Sequence, residues 1–499
     1  MWRQRRLHFY SSSACSSYLG GGDVTIDRTD SRELSLDILM EILEKGAYSH
    51  VVLKEALGKY QFLSKSDRAF ITRVTEGTLE RLIGIDWILD RYSKTKVKKM
   101  KPFIRTLLRM SVYQILYMDR VPDAAVCNEA VKLAVKRRFG GLKGFVNGIL
   151  RTVVREKAQL AAAFSGTQAG EGKDAAAIRG VPDHVRYSIP DWLFSMWTKE
   201  LGRDKALGTA KAFFRERPTT VRCNTSLASM ERIQESLTEQ GVSWEASPYP
   251  AKALLLKEYD YLESLEAFQK GQIQVEDLSC ILAMEGASLK EGDHVIDVCA
   301  APGGKSLHIA EELKGTGMVE ARDLTEKKIR LIEENIRRTG FSNIRTRVMD
   351  ARVLDEASVE KADVVLADLP CSGLGIIGKK PDIKLHMTPE KIESLVGLQR
   401  EILSTVWRYV KPGGILVYST CTIHQAENQD NVDWFLESYP FERVDLAGRF
   451  GALVQAGSLK EGWMQFLPGD GPWDGFFVAV LRRSSTFHPH ADGQIGAGA

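Results

Sequence analysis

At 499 residues the chain is too long for one ordinary core and fits about three domains. No run approaches the roughly 18 consecutive apolar residues of a membrane helix, and seven cysteines without a CxxC pair exclude a disulfide framework and a structural zinc site. The net charge of +3 hides an asymmetry: residues 31–157 hold 25 Lys and Arg against 14 Asp and Glu, whereas residues 158–499 hold 39 against 48. A basic front fits a grip on a polyanion, and a mildly acidic remainder fits a more selective task.

Residues 1–30 carry Arg3, Arg5 and Arg6, a serine cluster from Ser11 to Ser17, and no acid before Asp23. An organellar transit peptide, a mis-assigned start and an unstructured leader share this composition; a cytoplasmic protein is the expectation. From Ser31 to Lys157 apolar residues recur at three- and four-residue spacing, as in Leu36, Leu39 and Ile42, in Ile83 and Trp87, and in Phe103, Leu107, Leu108, Val112 and Ile115. That period predicts an all-α bundle of five or more helices. Lys94, Lys96, Lys98, Lys99 and Lys101, followed by Arg105 and Arg109, form its strongest basic run, and Lys136, Arg137, Arg138 and Lys143 a second. Two such runs in one basic domain point to phosphate-backbone binding rather than to solvated faces. The layout, with Phe145-Val146-Asn147-Gly148-Ile149-Leu150-Arg151 near its end, resembles the NusB-type RNA-binding domain. Asn147-Gly148 also suits a helix-packing notch.

Residues 158–184, with Gly166, Gly170 and Gly172, read as a linker, and residues 185–270 as a small α+β subdomain. The unit from 271 to 483 alternates strand candidates (His294 to Val298, Met318 to Arg322, Ile344 to Val348, Asp363 to Ala367, Gly414 to Tyr418) with helical patterns at Lys305 to Leu313, Glu326 to Arg338 and Pro389 to Tyr409. Such alternation predicts a doubly wound, mostly parallel sheet, closed by a last strand from Gly475 to Leu481. The polar, Gly-rich tail 484–499 is expected to lack fixed structure.

The first strand of that unit runs into Asp297-Val298-Cys299-Ala300-Ala301-Pro302-Gly303-Gly304-Lys305 and then a helix. Small residues there let backbone approach a ligand, and the helix start offers unpaired N–H groups. The string is neither the dinucleotide GxGxxG nor a P-loop. A carboxylate at the end of the second strand, Asp323, can accept from both hydroxyls of a ribose, and Asp350 after the third strand can take an adenine amino group. Each acid alone reads equally well as a cap or a surface acid. Their order at successive strand ends favours a cradle for S-adenosylmethionine.

The fourth strand ends in Asp368-Leu369-Pro370-Cys371 and the fifth in Ser419-Thr420-Cys421-Thr422. Cys223 and Cys280 read as inert small hydrophobes, whereas Cys371 and Cys421 lie in polar turns. Carbon 5 of cytosine becomes nucleophilic only after a thiolate adds to carbon 6. An acid near N3 would stabilise the charge that develops, and Asp368 is the candidate. The residues alone leave open which thiol attacks.

The strings "DVCAAPGGK" (297–305), "ADLPCSGLG" (367–375), "KKPDIK" (379–384), "YSTCT" (418–422) with Glu427-Asn428, and "DGFFVAVL" (474–481) resemble the motif series of the RsmB/Sun family of 16S ribosomal RNA (cytosine-C5) methyltransferases. With the NusB-like front, the likeness spans residues 31–483. It implies a class I methyltransferase with a seven-stranded sheet, and Cys421 as nucleophile with Cys371 assisting product release. It implies cofactor contacts at Cys299, Ala300, Ala301, Pro302, Gly303, Gly304, Lys305, Asp323, Asp350 and Asp368. It further implies a small-subunit rRNA substrate for a monomer that binds neither DNA nor membrane nor metal. The same chemistry on tRNA or another RNA, and a non-catalytic ribosome-assembly factor, are the rivals. Leu369 stands where the family commonly has Ala, and Val275-Glu276-Asp277 replaces a usual Gln-containing string; neither departure alters a thiol.

Overall fold

The computed structural model describes residues 30–485, apart from 61, 166–179, 216–217, 250–251, 260, 449, 451–458 and 461. The leader, most of the linker and nearly all of the tail therefore lie outside the described residues. Among the described residues no helix is long and apolar enough to cross a membrane.

The front is a helical bundle: α1 (Ser31–Lys45), α2 (Ser49–Lys59), α3 (Lys65–Glu80), α4 (Leu82–Tyr92), α5 (Pro102–Tyr117), α6 (Asp123–Lys136), α7 (Lys143–Arg155) and α8 (Lys157–Ser165). Local chemistry sets its helix ends. The Asp30 carboxylate accepts from Arg32 N ahead of α1, Gly46 closes that helix at φ 74°, and Ser64 accepts from Asp67 N ahead of α3. α5, started by Pro102, buries Phe103, Leu107, Leu108, Val112 and Ile115 and packs against α1, α3, α4, α6 and α7.

Much of the expected basic surface is spent inside this bundle. Arg105 bonds Glu44, Arg109 reaches Asp86 at 2.6 Å, Lys136 reaches Glu33 at 2.6 Å, and Arg137 pairs with Glu33 and Asp37. Helical spacing brings acids from α1 and α4 onto cations that look like a free run in one dimension. Lys94, Lys98, Lys99 and Lys101 remain exposed. Gly148 is also exposed, and a Cβ there would meet nothing within 4 Å, so Asn147-Gly148 is no packing notch.

A small antiparallel sheet follows, in the order β2-β3-β1-β4, formed by β1 (Thr219–Cys223), β2 (Ser243–Ala246), β3 (Ala253–Lys257) and β4 (Ile273–Val275). Ser229 caps the helix Met230–Glu239 that covers it. Arg222 on β1 is 2% exposed and bonds Glu276 at 3.0 Å and Glu311, which fastens this sheet to the next unit.

The main sheet consists of β5 (His294–Asp297), β6 (Met318–Asp323), β7 (Ile344–Val348), β8 (Ala362–Asp368), β9 (Val410–Thr420), β10 (Phe441–Arg443), β11 (Leu459–Lys460), β12 (Trp463–Phe466) and β13 (Phe476–Arg483). Its order is β11-β12-β13-β9-β8-β5-β6-β7, with β10 on β13. β7, β6, β5, β8 and β9 run parallel, and β13 and β12 are antiparallel. Seven strands make the doubly wound core, and the short β10 and β11 add two at its margin. Alternate residues serve opposite faces, as the two-residue period of a strand requires: Val295, Val364, Leu366 and Val417 enter one core, and Ile296, Val365, Ala367, Leu416 and Tyr418 the other. The strand order reverses beside β5. The crevice past the carboxyl ends of β5, β8 and β9 is where such sheets bind ligands.

Candidate active site

Past β5, the chain turns through Cys299, Ala300, a cis Ala301–Pro302 bond and Gly303 into the helix Gly304–Glu312. Gly303 sits at φ 107°, a backbone shape that disfavours side chains, and a Cβ there would lie 3.3 Å from Ile332 Cγ2. The Asp323 carboxylate, at the end of β6, accepts from Ala301 N at 3.0 Å and Leu324 N at 2.7 Å, and pairs with Lys328 at 2.9 Å. The turn and the acid therefore face each other, with further lone pairs on the carboxylate. Asp350 instead holds Arg352 through both oxygens, at 2.7 and 3.0 Å, and this partner keeps its carboxyl below the ordinary range. Cys299 is part-buried in this turn, and burial raises its thiol. These groups fit a cofactor with a ribose and no phosphates: a close-approach backbone, a helix start, and an oriented acid.

Lys305, on the first turn of the helix, donates to Asp368 Oδ2 at 2.8 Å, and Ser419 Oγ donates to Asp368 Oδ1 at 2.8 Å. The neighbouring carboxylate holds the Lys305 ammonium strongly protonated against the opposing effect of burial. Asp368 and Ser419 are register partners on β8 and β9, so the sheet itself aligns them.

The same register carries Cys371 and Cys421 out of neighbouring strands to an Sγ–Sγ distance of 3.2 Å. The hydrogen bond with Cys421, reinforced by burial, raises the Cys371 thiol well above its ordinary value, so Cys371 keeps its proton. Cys223 is fully buried, which pushes its thiol up to about 12, and Cys280, packed against the core, has its thiol raised by burial, with the charges of Lys305 and Asp368 also acting on it.

A buried polar scaffold locks the two cysteine turns together. Glu427 accepts from Ser372 N at 2.8 Å, Ser372 Oγ at 2.5 Å and Gln399 Nε2 at 3.1 Å, while Ser372 Oγ also meets Thr422 Oγ1 at 2.8 Å. Asn428 accepts from Thr420 Oγ1 at 2.6 Å and donates to Thr422 O at 3.1 Å. The Glu427-Asn428 string marks part of this scaffold in sequence; Ser372 and Ser419 lie inside the two cysteine motifs without a role of their own being legible there, and Gln399 carries no local signal. At the far side, Gly475 N donates to Gly375 O at 2.9 Å, an approach that only two glycines permit. Lys379 pairs with Asp277 at 3.2 Å and Asp474 at 2.6 Å, which fixes the end of the Cys371 loop.

Three family models match consecutive stretches: the NusB family over residues 29–155, the ferredoxin-like domain of RsmF/B-like methyltransferases over 189–261, and 16S rRNA methyltransferase RsmB/F over 286–482. The "Probable ribosomal RNA small subunit methyltransferase B" of Bacillus subtilis (strain 168) is 32% identical, the match covering 91% of this chain and 99% of that one. The "Ribosomal RNA small subunit methyltransferase B" of Cronobacter sakazakii is 29% identical over 90% and 98%. Among solved structures, the crystal structure of PH0851 superposes with a TM-score of 0.73 at 26% identity, covering 92% of this chain and all of that one. A methyltransferase homologue from Pyrococcus horikoshii superposes at 0.53 with 25% identity, over 60% and 97%. A strand-end turn and oriented acid that fit a ribose-bearing cofactor, two thiols at adjacent strand ends and a NusB-like front thus occur together in one chain, which belongs to the RsmB/F family of S-adenosylmethionine-dependent methyltransferases.

Proposed function

We propose that this protein methylates carbon 5 of a cytosine in small-subunit ribosomal RNA, with Cys421 as nucleophile and Cys371 assisting release. The observation that carries the reading is the 3.2 Å approach of the two sulfurs beside the Lys305–Asp368 pair. The turn from Cys299 to Lys305, with Ala300, Ala301, Pro302, Gly303 and Gly304, holds S-adenosylmethionine together with Asp323, Asp350 and Asp368. The cofactor supplies a methyl group on a positively charged sulfur.

Cys421 releases its S–H proton to solvent as its sulfur adds to carbon 6, with the S–H of Cys371 hydrogen-bonded to the attacking sulfur at 3.2 Å. As the C6–S bond forms, ring electrons move toward N3. Asp368, taking up a proton from solvent as the base binds, places it on N3, while the Lys305 ammonium at 2.8 Å keeps the carboxyl in position. Carbon 5, now electron-rich, takes the methyl group. A base then removes the proton from carbon 5, the C6–S bond breaks with the Cys371 S–H hydrogen-bonded to the departing Cys421 sulfur, and N3 returns its proton to Asp368. The target base reaches this crevice unpaired or flipped.

The assignment of the thiols is tested by incubating variants with small-subunit rRNA and labelled cofactor. Cys421→Ser is expected to abolish methyl transfer. Cys371→Ser is expected to accumulate a covalent RNA adduct visible on a denaturing gel. Full-rate methylation by Cys421→Ser overturns the nucleophile, and bisulfite sequencing of RNA from cells lacking the protein distinguishes rRNA from tRNA targets.

A further inference from the structure

A cleft of about 680 Å³ opens between the helical bundle and the rest of the chain. On the bundle side it is lined by Arg73, Arg81, Tyr113 and Tyr117, and on the other by Phe214 and Arg215. The Arg81 guanidinium lies 3.5 Å from the Phe214 ring centroid and 4.9 Å from that of Tyr117, so the two sides meet through a stacked cation. Tyr113 is 1% exposed, yet its buried hydroxyl finds no hydrogen-bond partner among the described residues. It reaches the cleft because α3 has Gly77 at the crossing, where a Cβ would overlap the Tyr113 ring.

The charges here differ from those of the two basic runs. Arg105, Arg109, Lys136 and Arg137 are neutralised by acids within the bundle. No described residue accepts a hydrogen bond from the guanidinium groups of Arg73, Arg81 or Arg215. Among the described lining residues Glu80 is the one acid, and burial raises its carboxyl toward neutrality. Exposed Arg73 and Arg215 stand on opposite sides of the cleft, and Arg81 is held on the Phe214 and Tyr117 rings, so the cleft offers cations to the phosphates of a nucleic-acid backbone. A target base presented unpaired leaves its flanking strand single, free to lie along these cations.

The cleft is joined to the cysteines by one short loop. Gly378 lines it and packs on Phe213, a Cβ there falling 3.2 Å from Phe213 Cδ1. It follows Cys371 by seven residues, which span at most about 25 Å even when fully extended.

We propose that this cleft is a docking groove for single-stranded RNA flanking the target base, its backbone gripped by Arg73, Arg81 and Arg215. The proposal rests on the RNA-methylating reading above. The test uses the full-length protein and a fluorescent, unpaired RNA of about 15 nucleotides. The charge reversal Arg73→Glu/Arg215→Glu, at two exposed positions, is expected to raise Kd roughly tenfold or more. It is also expected to lower the slope of log K against log salt by about 1.4, two phosphate contacts being lost. In parallel, photocrosslinking of the wild-type protein to 4-thiouridine RNA is expected to label residues that line this cleft, a readout that needs no variant to fold. Unchanged affinity in the variant, or crosslinks confined to other surfaces such as Lys94 to Lys101, overturns the groove. Failure of the wild type to methylate any RNA would instead overturn the function while leaving the crosslinks readable.

Discussion

Asp382, in the catalytic half, accepts both the backbone N–H and the hydroxyl of Ser49, in the bundle, at 2.9 and 2.6 Å. Asp382 is 1% exposed and Ser49 4%, so neither group has water to fall back on. Two residues on, Lys384 donates to Glu80 O at 2.7 Å, and burial brings its amine down to about 7. The "KKPDIK" string, which reads in sequence as one motif among several, is therefore a joint between the two halves of the molecule.

Removing the acid should loosen that joint specifically. Asp382→Ala leaves a buried N–H and hydroxyl unsatisfied, at a cost of about 2–4 kcal/mol. Asp382→Asn keeps an acceptor and is expected to lose less than half as much. Chemical denaturation gives the stability, and amide exchange across α2 locates the loss; unaltered exchange at Ser49–Lys59 in the alanine variant would dismiss the joint.

Gly375 offers a sharper probe of the thiol geometry. A Cβ at this position would fall 2.1 Å from the Gly475 carbonyl oxygen, so one of the two loops must shift. Gly375 N also donates to Cys421 O at 3.1 Å, so the shift reaches the cysteine. Gly375→Ala is expected to cut methyl transfer about 100-fold, as a displacement near 1 Å can do, with little change in cofactor affinity. Single-turnover rates and calorimetry separate the two, and an unimpaired rate would mean that the loops do not position Cys421.

The two acids expected at the cofactor differ in a way that affinity should reveal. The Asp323 carboxylate is oriented by two backbone N–H groups beside the Gly-rich turn, whereas that of Asp350 already holds Arg352. Asp323→Asn is expected to weaken S-adenosylmethionine binding about 10- to 100-fold, the range for losing hydrogen bonds to a charged group. Asp350→Ala is expected to cost less than tenfold. The reverse order in a calorimetric titration would move the ribose away from Asp323.

The parallel strands and the helices between them were legible because each is a local pattern. β6 and β7 alternate or run apolar within a few residues of their expected bounds, and the helices Glu326–Thr339 and Pro389–Val406 begin at Thr325 and Thr388, each of which caps the helix with its own side chain. β9 extends back to Val410, through Pro412 and Gly413, which no propensity rule would place in a strand. Neighbours across the fold were not legible. Arg105 and Arg109 look free until α1 and α4 bring Glu44 and Asp86 beside them, and Asp350 looks available until Arg352 turns back onto it. Periodicity states which face a residue takes and is silent about what stands opposite. The thiol pair falls between these cases: the strand ends were visible, but their adjacency depends on β8 lying beside β9.

Asp297 gives a prediction in pH rather than in rate. Its Oδ2 accepts from Ser306 Oγ at 2.6 Å, and its Oδ1 is buried without a partner among the described residues. Burial raises its carboxyl from an ordinary 3.8 to about 7; Asp368 adds to the rise, and Ser306 and Lys305 oppose it. Between these values the folded protein holds a proton that the unfolded chain has released. Stability from this group therefore falls as pH rises from about 4 to about 7 and is level above that, a change on the order of 4 kcal/mol. Asp297→Asn keeps an acceptor for Ser306 and cannot titrate. Its stability should lack this decline, so the wild-type and variant curves, measured by denaturation at each pH, converge toward pH 4 and separate toward pH 7, with the variant the more stable there. Parallel curves across that window would show that the Asp297 carboxyl is ionised in the folded protein throughout.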